Sequence, residues 1–326
     1  MTRTLILGGT GWLGRELAAQ FVNRGDEVTC LARGESGVIA DGATLVTADR
    51  TRDDAYSKVL GQEWDEVVEL SYELPFVTGA LKALADFAGH WTLVSTVSVY
   101  ATNDEVGADE SAPLLAAVDL EHYGQAKVAA ERAAEQAVGD RLLIARPGLI
   151  AGPGDDSDRF GYWVARLALA DTGPVLVPEV DGRWVQVIDV RDLAAWIVHA
   201  SGRRSTGTVN AVGRQHLFAD LLRVAADVAE FSGALVPAAD LWLAKQGVAN
   251  WSGQRSLPLW LGEDAPGFFR RSDVEFRARG ATTRSLSETL RDVLADERRR
   301  GLNRARNAGL TRADELTLLD ALEKSQ

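Results

Sequence analysis

Over the first 150 residues, short apolar runs alternate with longer stretches in which apolar residues recur every three or four positions. The short runs are nearly continuous in apolar residues, which is typical of parallel strands covered by helices on both faces. They predict six strands, at residues 4–7, 27–31, 44–47, 66–70, 92–96 and 142–145. Helical spacing falls between them, over 13–21, 76–87 and 121–138. This alternation predicts an α/β fold built on a doubly wound parallel sheet.

The pattern changes after residue 150, where the turn-rich segment 152–156 begins. A helix is predicted over 159–170, a strand over 185–190 and a helix over 193–200, and residues from 285 onward are charged and helical in pattern. We therefore expect a dinucleotide-binding domain over 1–150, to which 185–212 returns. Residues 151–184 and 213–326 would form a smaller, discontinuous C-terminal region that binds substrate.

Composition excludes several classes of protein. The chain has 326 residues, 46% hydrophobic and 25% charged, with a formal net charge of −12. This acidic balance argues against nucleic-acid binding, which relies on basic surfaces. Cys30 is the single cysteine and the four histidines are far apart, so we expect neither a disulfide nor a metal site. No targeting or membrane-spanning segment is evident. We expect a cytoplasmic protein whose partner is a small-molecule substrate, and a homodimer is compatible with the sequence.

A glycine-rich turn joins the first predicted strand to the first helix. It runs Gly8-Gly9-Thr10-Gly11-Trp12-Leu13-Gly14. Glycines at such a turn let the backbone approach a pyrophosphate, which then lies at the helix N-terminus. Two registers fit, one starting at Gly9 and one at Gly8. We predict that the cofactor contacts residues of this turn, namely Gly8, Thr10, Gly11, Trp12, Leu13 and Gly14.

The ends of the next two strands indicate which dinucleotide binds. An NAD site usually has a carboxylate at the end of the second strand, whereas an arginine suits the 2′-phosphate of NADP. Here Arg33 lies just after the predicted strand and no acid precedes Glu35, so NADP(H) is favoured over NAD(H). The alternative is that Arg33 is a solvated loop cation that stacks over adenine. Asp49 and Arg50, after the third strand, are in position to hold the adenine amino group.

Tyr123 and Lys127 are four residues apart on one predicted helix, and therefore on the same face. A neighbouring ammonium favours the phenolate and lowers the pKa of a tyrosine, which suits the phenol to proton transfer. Lys127 is one of only five lysines in an arginine-rich chain. Upstream, the predicted strand at 92–96 ends in the hydroxyl residues Ser95 and Thr96.

Together these motifs resemble those of the extended short-chain dehydrogenase/reductase family, in its NAD-dependent epimerase/dehydratase branch. The resemblance selects the glycine register Gly8, Gly11 and Gly14 within a Rossmann-type sheet. It implies that Tyr123 is the general acid/base, that Lys127 binds the nicotinamide ribose and acidifies Tyr123, and that Thr96 hydrogen-bonds the reacting oxygen.

The resemblance extends further along the chain. The segment from Arg146 to Pro153 is similar to the family's Arg-Pro-x-x-Val-Tyr-Gly-Pro segment. That similarity implies that the backbone at Pro147, Leu149 and Ile150 meets the nicotinamide. Leu70 and Ser71 match positions that line the cofactor. At Tyr72, sugar-nucleotide epimerases often carry glycine, and no clear counterpart of their diphosphate-binding arginines is present. Both departures argue against a nucleotide-sugar substrate.

Three functions are compatible with these motifs. The first is an NADP(H)-dependent oxidoreductase that transfers hydride to or from a carbonyl or alcohol carbon. The second is an epimerase or dehydratase of the sugar-nucleotide type, and the third is a non-catalytic NADP-binding regulator. The set Thr96, Tyr123 and Lys127 favours an enzyme. Aromatic residues at 162–163, 242, 251 and 260 either line an apolar substrate pocket or fill a second core.

Overall fold

The computed structural model describes residues 2–35, 37–262 and 265–325. The strands within these ranges are β1 (Arg3–Leu7), β2 (Glu27–Ala32), β3 (Thr44–Thr47), β4 (Glu66–Glu69), β5 (Trp91–Val94), β6 (Leu142–Ala145), β7 (Leu149–Ala151), β8 (Val175–Pro178), β9 (Trp184–Asp189), β10 (Gly207–Val209), β11 (Gln215–Leu217), β12 (Leu235–Ala238), β13 (Ala249–Trp251) and β14 (Ser256–Pro258).

The α-helices are α1 (Trp12–Arg24), α2 (Leu74–Leu84), α3 (Tyr123–Val138), α4 (Gly161–Ala170), α5 (Val190–Gly202), α6 (Phe218–Ala229), α7 (Asp240–Lys245), α8 (Val274–Ala278), α9 (Leu286–Arg300) and α10 (Arg312–Glu323). Short 3₁₀ turns add Ala85–Phe87, Val97–Val99 and Gly139–Arg141. Among the helices of the described ranges, none is long and apolar enough to cross a membrane.

Seven strands form one parallel sheet in the order β10-β6-β5-β4-β1-β2-β3. β1 pairs with both β2 and β4, and Leu5 lies opposite Thr29 on one side and Val67 on the other. The strand order therefore reverses at β1, and the carboxyl ends of β1 and β4 border the crevice where such sheets bind ligands. The predicted doubly wound sheet is confirmed, and all six strands predicted in the first 150 residues are present.

The chain divides into two compact units. Unit 1 comprises residues 1–150, 190–213 and 271–283, and contains the seven-stranded sheet. Its core includes Leu5, Leu7 and Trp91, which have no exposed surface. The last of these segments contributes Phe276, which is 1% exposed and packs edge-on against Trp196 with ring centroids 4.9 Å apart. This late segment belongs to the sheet's unit although it is remote from it in sequence.

Unit 2 comprises residues 151–189, 214–270 and 284–326. Within it β8 pairs with β12 in parallel, β9 pairs with β11 in antiparallel fashion, and α4, α6 and α9 pack together. Tyr162 and Trp163 of α4 are fully buried, and the Trp163 indole N–H donates to the Pro258 carbonyl at 2.8 Å. Of the two interpretations open for the aromatic residues, these two side chains therefore follow the second: they fill the core of unit 2.

Candidate active site

The glycine-rich turn joins β1 to α1 through a backbone that only glycine readily adopts at Gly8. The φ angle of Gly8 is +105°, its N–H donates to the Leu31 carbonyl at 3.0 Å, and its carbonyl accepts from the Gly11 N–H at 3.1 Å. A positive φ of this kind costs other residues appreciable strain. The turn therefore delivers the chain directly into α1, whose N-cap residue is Gly11.

Steric constraints separate the glycines of this turn by role. A Cβ at Gly14 would lie 2.3 Å from the Gly8 carbonyl oxygen, and one at Gly9 would lie 2.4 Å from the Cys30 Sγ. These two glycines therefore let the turn pack on α1 and β2. A Cβ at Gly11 would meet only the Gly8 oxygen, at 3.5 Å, which is ordinary contact. The surrounding chain thus leaves space at Gly11, at the start of a helix, where a pyrophosphate would approach.

Arg33 follows directly after β2. Its side chain is 63% exposed, and its Nε lies 3.3 Å from the Glu35 carboxylate, which is itself 67% exposed. Asp49, two residues beyond β3, accepts hydrogen bonds from the backbone N–H and the hydroxyl of Thr51. These hydrogen bonds lower the pKa of Asp49, so its carboxylate is charged at neutral pH. A cation and an anion thus lie after β2 and β3, beyond the glycine turn.

Arg50 has a different environment from its neighbour Asp49. Its guanidinium forms a two-point ion pair with Glu69, the last residue of β4, and donates to the Phe76 carbonyl at 2.7 Å and to the Tyr56 hydroxyl at 3.0 Å. The Glu69 side chain has no exposed surface. Glu69 also accepts from the Ser71 N–H at 2.8 Å, so the ion pair fixes the segment that leaves β4. No pattern in the sequence indicates this pairing.

Lys127 is a buried lysine, only 3% exposed, on the first turns of α3. Its Nζ donates to the Val94 carbonyl at 2.6 Å, at the end of β5, and to the Ser71 carbonyl at 3.1 Å. Burial lowers the pKa of Lys127 to about 8, although the charges of Glu69 and Glu131 oppose that shift. The ammonium therefore lies at the carboxyl ends of β4 and β5, beside the point where the strand order reverses.

Tyr123 begins α3 one turn before Lys127, and its side chain is 45% exposed. Its ring lies edge-on to that of Tyr72, with centroids 5.4 Å apart. The neighbouring Gly124 lets α3 approach the chain after β5 closely, because a Cβ there would lie 2.3 Å from the Ser98 carbonyl oxygen. Gly124 is a residue that the sequence analysis missed, and the position of a glycine directly after Tyr123 was the available signal.

Thr96 caps the 3₁₀ turn Val97–Val99, and its hydroxyl accepts from the Ser98 N–H at 3.1 Å. This cap explains why β5 ends at Val94, two residues earlier than predicted. The Val97 N–H donates to the Pro147 carbonyl at 2.9 Å, which ties the turn to the segment after β6. Gly124 packs against the same turn, so the structure brings the Thr96 turn and the start of α3 together.

A buried hydrogen-bond network connects α3 with the segments that follow β5 and β6. Glu131, one turn after Lys127, accepts from the Ser95 hydroxyl and pairs with Arg146 through both carboxylate oxygens, at 3.0 and 2.7 Å. Arg146 also donates to the Tyr100 hydroxyl at 3.1 Å. Thus the two hydroxyl residues that end the predicted strand differ: Ser95 is committed to this network, whereas Thr96 lies in the turn.

Three further predicted cofactor residues, Leu70, Leu149 and Ile150, follow strands β4 and β6 of unit 1. A Cβ on Gly8 would be 3.5 Å from the Leu70 Cβ, so Leu70 borders the glycine turn. Leu149 is 5% exposed and begins β7, and Ile150 follows it and is half-buried. Their backbone continues from Pro147, whose carbonyl holds the turn at Val97.

Comparison with known proteins identifies the family. The model of the NAD dependent epimerase/dehydratase family matches residues 4–90 and 77–212. The chain is 26% identical over 213 residues to the epimerase family protein SDR39U1 of Bos taurus, and this match covers 61% of the chain and 69% of that protein.

Two solved structures illustrate the shared fold. The UDP-glucose 4-epimerase of Thermus thermophilus, solved in complex with NAD, is 19% identical, covers 91% of this chain and 99% of its own, and has a TM-score of 0.65. RMD from Pseudomonas aeruginosa, solved with NADPH, is also 19% identical, with coverage of 92% and 100% and a TM-score of 0.65.

The family match begins in β1 and runs past β10, so it includes the glycine turn, the Thr96 turn and the start of α3. It spans well over half of the chain, and the sheet order agrees with it. The chain is a member of the NAD-dependent epimerase/dehydratase family, a family of enzymes that use a nicotinamide cofactor.

Proposed function

We propose that the protein is an NADP(H)-dependent oxidoreductase that transfers hydride to or from a carbonyl or alcohol carbon, with Tyr123 as general acid/base. One observation carries the proposal. The buried ammonium of Lys127, held by the Val94 and Ser71 carbonyls, lies one helical turn from a tyrosine with an exposed side chain at the ligand-binding edge of the sheet. A fixed positive charge beside a phenol favours the phenolate and suits it to proton transfer.

The residues present fit a dinucleotide. The turn from Gly8 to Gly14, with Thr10, Trp12 and Leu13, would hold the pyrophosphate, because the chain leaves space at Gly11 and the helix N-terminus attracts anions. Arg33 would bind the 2′-phosphate, and Asp49 and Arg50 would lie at the adenine end of the cofactor. Of those two, the Arg50 guanidinium is bound to Glu69, which makes Asp49 the side chain available to a ligand.

The nicotinamide end would lie against Lys127, Leu70, Ser71 and the backbone at Pro147, Leu149 and Ile150. When bound, the nicotinamide supplies or accepts the hydride. In the reductive direction the Tyr123 hydroxyl gives its proton to the substrate carbonyl oxygen, and the Thr96 hydroxyl donates a hydrogen bond to the same oxygen. In the oxidative direction the phenolate takes the proton back. Lys127 supports the phenolate form throughout.

Epimerisation is the second candidate, and family membership favours it. The same three residues would then serve an oxidation followed by reduction of one carbon, without net turnover of cofactor. Tyr72, whose aromatic ring packs edge-on to Tyr123, argues against a bulky sugar at this position. A screen of ketones, aldehydes and sugar nucleotides for oxidation of NADPH separates the two candidates. Net oxidation with a carbonyl compound supports a reductase, whereas isomer formation without net oxidation supports an epimerase.

Arg33 carries the preference for NADP(H). The Thermus thermophilus relative was solved with NAD and the Pseudomonas aeruginosa one with NADPH, so the fold accommodates either cofactor. We expect NADPH to bind more tightly than NADH in titrations followed by nicotinamide fluorescence. Replacing Arg33→Ala removes a charge-assisted contact, and should weaken NADPH binding about 10- to 100-fold while leaving NADH binding nearly unchanged.

Arg52→Ala is the matched control, because Arg52 is 68% exposed and pairs with Asp54. Tighter binding of NADH than NADPH by the unmodified protein would overturn the cofactor assignment.

The buried free thiol of Cys30 supports a reducing compartment, and we propose that this is the cytosol.

A further inference from the structure

Unit 2 contains a cavity of about 710 Å³, within the size range of small-molecule binding sites. It lies between the paired strands β8 and β12, the turn at 179–184, the start of α6 and residues from the stretches 259–262 and 265–270. Among the described residues that line it, none belongs to the catalytic or cofactor site proposed above. The cavity therefore has its own chemistry, which its lining defines.

The floor of the cavity is apolar. Val177, Leu222, Leu259 and Phe269 line it and are between 1% and 5% exposed. Such a surface gains free energy by excluding water, and it offers a ligand no hydrogen bonds. The part of a ligand that enters the floor is therefore hydrocarbon or an aromatic ring.

One of the two arginines of the lining is already neutralised. The Arg183 guanidinium pairs with the Asp240 carboxylate at 2.5 Å and donates to the Leu261 carbonyl. Asp240 is also held by the Trp260 indole N–H at 3.1 Å. A diphosphate carries at least two negative charges and would need this arginine to leave its partner. The cavity is therefore poorly suited to a nucleoside diphosphate.

The other arginine, Arg270, is placed to receive an anion. Its guanidinium lies over the Trp184 ring, 4.4 Å from the centroid, and its Nε is 3.4 Å from the Gln215 side-chain oxygen. The described contacts of this guanidinium are the Trp184 ring and the Gln215 side chain, and neither is a carboxylate. Stacking on an indole leaves the edge of a guanidinium for hydrogen bonds. The lining residues Glu179 and Asp181 are exposed acids. Their repulsion of an anion grows with its charge, so a ligand with several negative charges is disfavoured most.

We propose that this cavity binds an apolar molecule with a single negative charge, and that Arg270 receives the charge. An apolar carboxylate has this chemistry. The proposal rests on the described residues of unit 2 and goes beyond the proposed function. Ligand binding tests it without any measurement of turnover, so its outcome does not depend on the chemistry at Tyr123.

The experiment is isothermal titration calorimetry of the full chain with decanoate and, separately, with UDP. We expect decanoate to bind at one site per chain and UDP to bind at least about tenfold more weakly. Arg270→Ala should weaken decanoate binding about tenfold or more, because a charge-assisted pair is lost, and Arg270→Lys should weaken it less. Arg223→Ala is the matched control, since this arginine of α6 is 64% exposed and outside the lining.

Thermal unfolding and circular dichroism establish that each variant is folded. Loss of decanoate affinity in Arg270→Ala, with Arg223→Ala unchanged, supports the proposal. Three results would overturn it: decanoate failing to bind at one site, UDP binding as tightly as decanoate, or Arg270→Ala binding decanoate as the unmodified chain does.

Discussion

Lys127 combines near-complete burial with a positive charge. Two backbone carbonyls accept from its ammonium, and the carboxylates of Glu69 and Glu131 favour the charged form from within the same unit. Burial opposes them and is the larger effect, so the pKa of Lys127 falls to about 8. The ammonium is therefore present at neutral pH and lost in mildly alkaline solution, an unusual range for a lysine.

This property predicts the pH dependence of the site. The lysine charge is present below about pH 8 and disappears as the pH rises through that value. Binding of NADPH to the free protein should therefore weaken with an apparent pKa near 8. In Glu69→Gln, a carboxylate that favours the ammonium is removed, and the transition should move to lower pH. Titrations of NADPH between about pH 6 and 9.5 span the lysine transition and measure both effects, with Glu73→Gln, an exposed position nearby, as control.

A transition that stays in place in Glu69→Gln would contradict this electrostatic explanation. The sequence predicted Tyr123 and Lys127 as site residues from their spacing on one helix, and the family resemblance added Thr96. The sequence carried no indication of Glu69 or Arg50 as partners. Their ion pair joins the end of β4 to the segment that follows β3, and such pairings depend on tertiary structure rather than on local pattern.

At the scale of elements, the start of α3 is held against the turn that follows β5. A Cβ on Gly124 would lie 2.3 Å from the Ser98 carbonyl oxygen, and the Gln125 side-chain oxygen accepts from the backbone N–H groups of Val118 and Asp119. His122 caps the helix by accepting from the Gln125 N–H at 3.3 Å. The position of Tyr123 relative to Thr96 therefore depends on one close contact between backbones.

Gly124→Ala tests this dependence. The added Cβ would be 2.3 Å from the Ser98 oxygen, so α3 must shift, at a cost of about 1–3 kcal/mol in the free energy of unfolding. A shift of about 1 Å at Tyr123 should lower turnover about a hundredfold. Gly79→Ala in α2 is the control, because its Cβ would make only ordinary contact, 3.5 Å from the Tyr56 ring. Equal activity of the two variants would argue against the role of this contact.

A buried histidine, His90, connects β4 with the segment that precedes β10. The His90 ring lies between the Glu66 carboxylate at 2.5 Å and the Ser205 carbonyl at 2.8 Å. With an acceptor at each nitrogen, the charged imidazolium fits this site. Burial would lower the pKa of His90, but the hydrogen bond and charge of Glu66 together outweigh it and raise the pKa.

The sign of the pH effect on stability follows from that raised pKa. The contribution of His90 is fully present below its unfolded pKa of about 6.5 and is lost as the pH rises through the folded value. We expect the free energy of unfolding to fall by about 1–3 kcal/mol across this range. Urea unfolding at a series of pH values measures it, and Glu66→Gln should flatten the dependence. Glu63→Gln, on the exposed surface, should leave it unchanged.

At the scale of the whole molecule, the hydrophobic pattern predicted the sheet because buried parallel strands and their helices have strong, local periodicities. The first 150 residues follow this rule. The segment 271–283, which belongs to unit 1, carries no such signal, since tertiary contacts attach it, among them the edge-on packing of Phe276 against Trp196 and the cation–π contact of Arg271 with Tyr100. The net charge of −12 says little about the site, where the glycine turn and Arg33 would meet the cofactor phosphates locally.

The most direct test of the proposed enzyme is the variant Tyr123→Phe, once the screen has found a substrate. The substitution removes one hydroxyl and keeps the ring that packs against Tyr72. Turnover with NADPH should fall by at least about a thousandfold, because the proton donor is lost, while NADPH binding by fluorescence stays unchanged. Tyr72→Phe is the matched control and should retain most of its activity. Turnover by Tyr123→Phe at the rate of the unmodified protein would contradict the catalytic role of Tyr123.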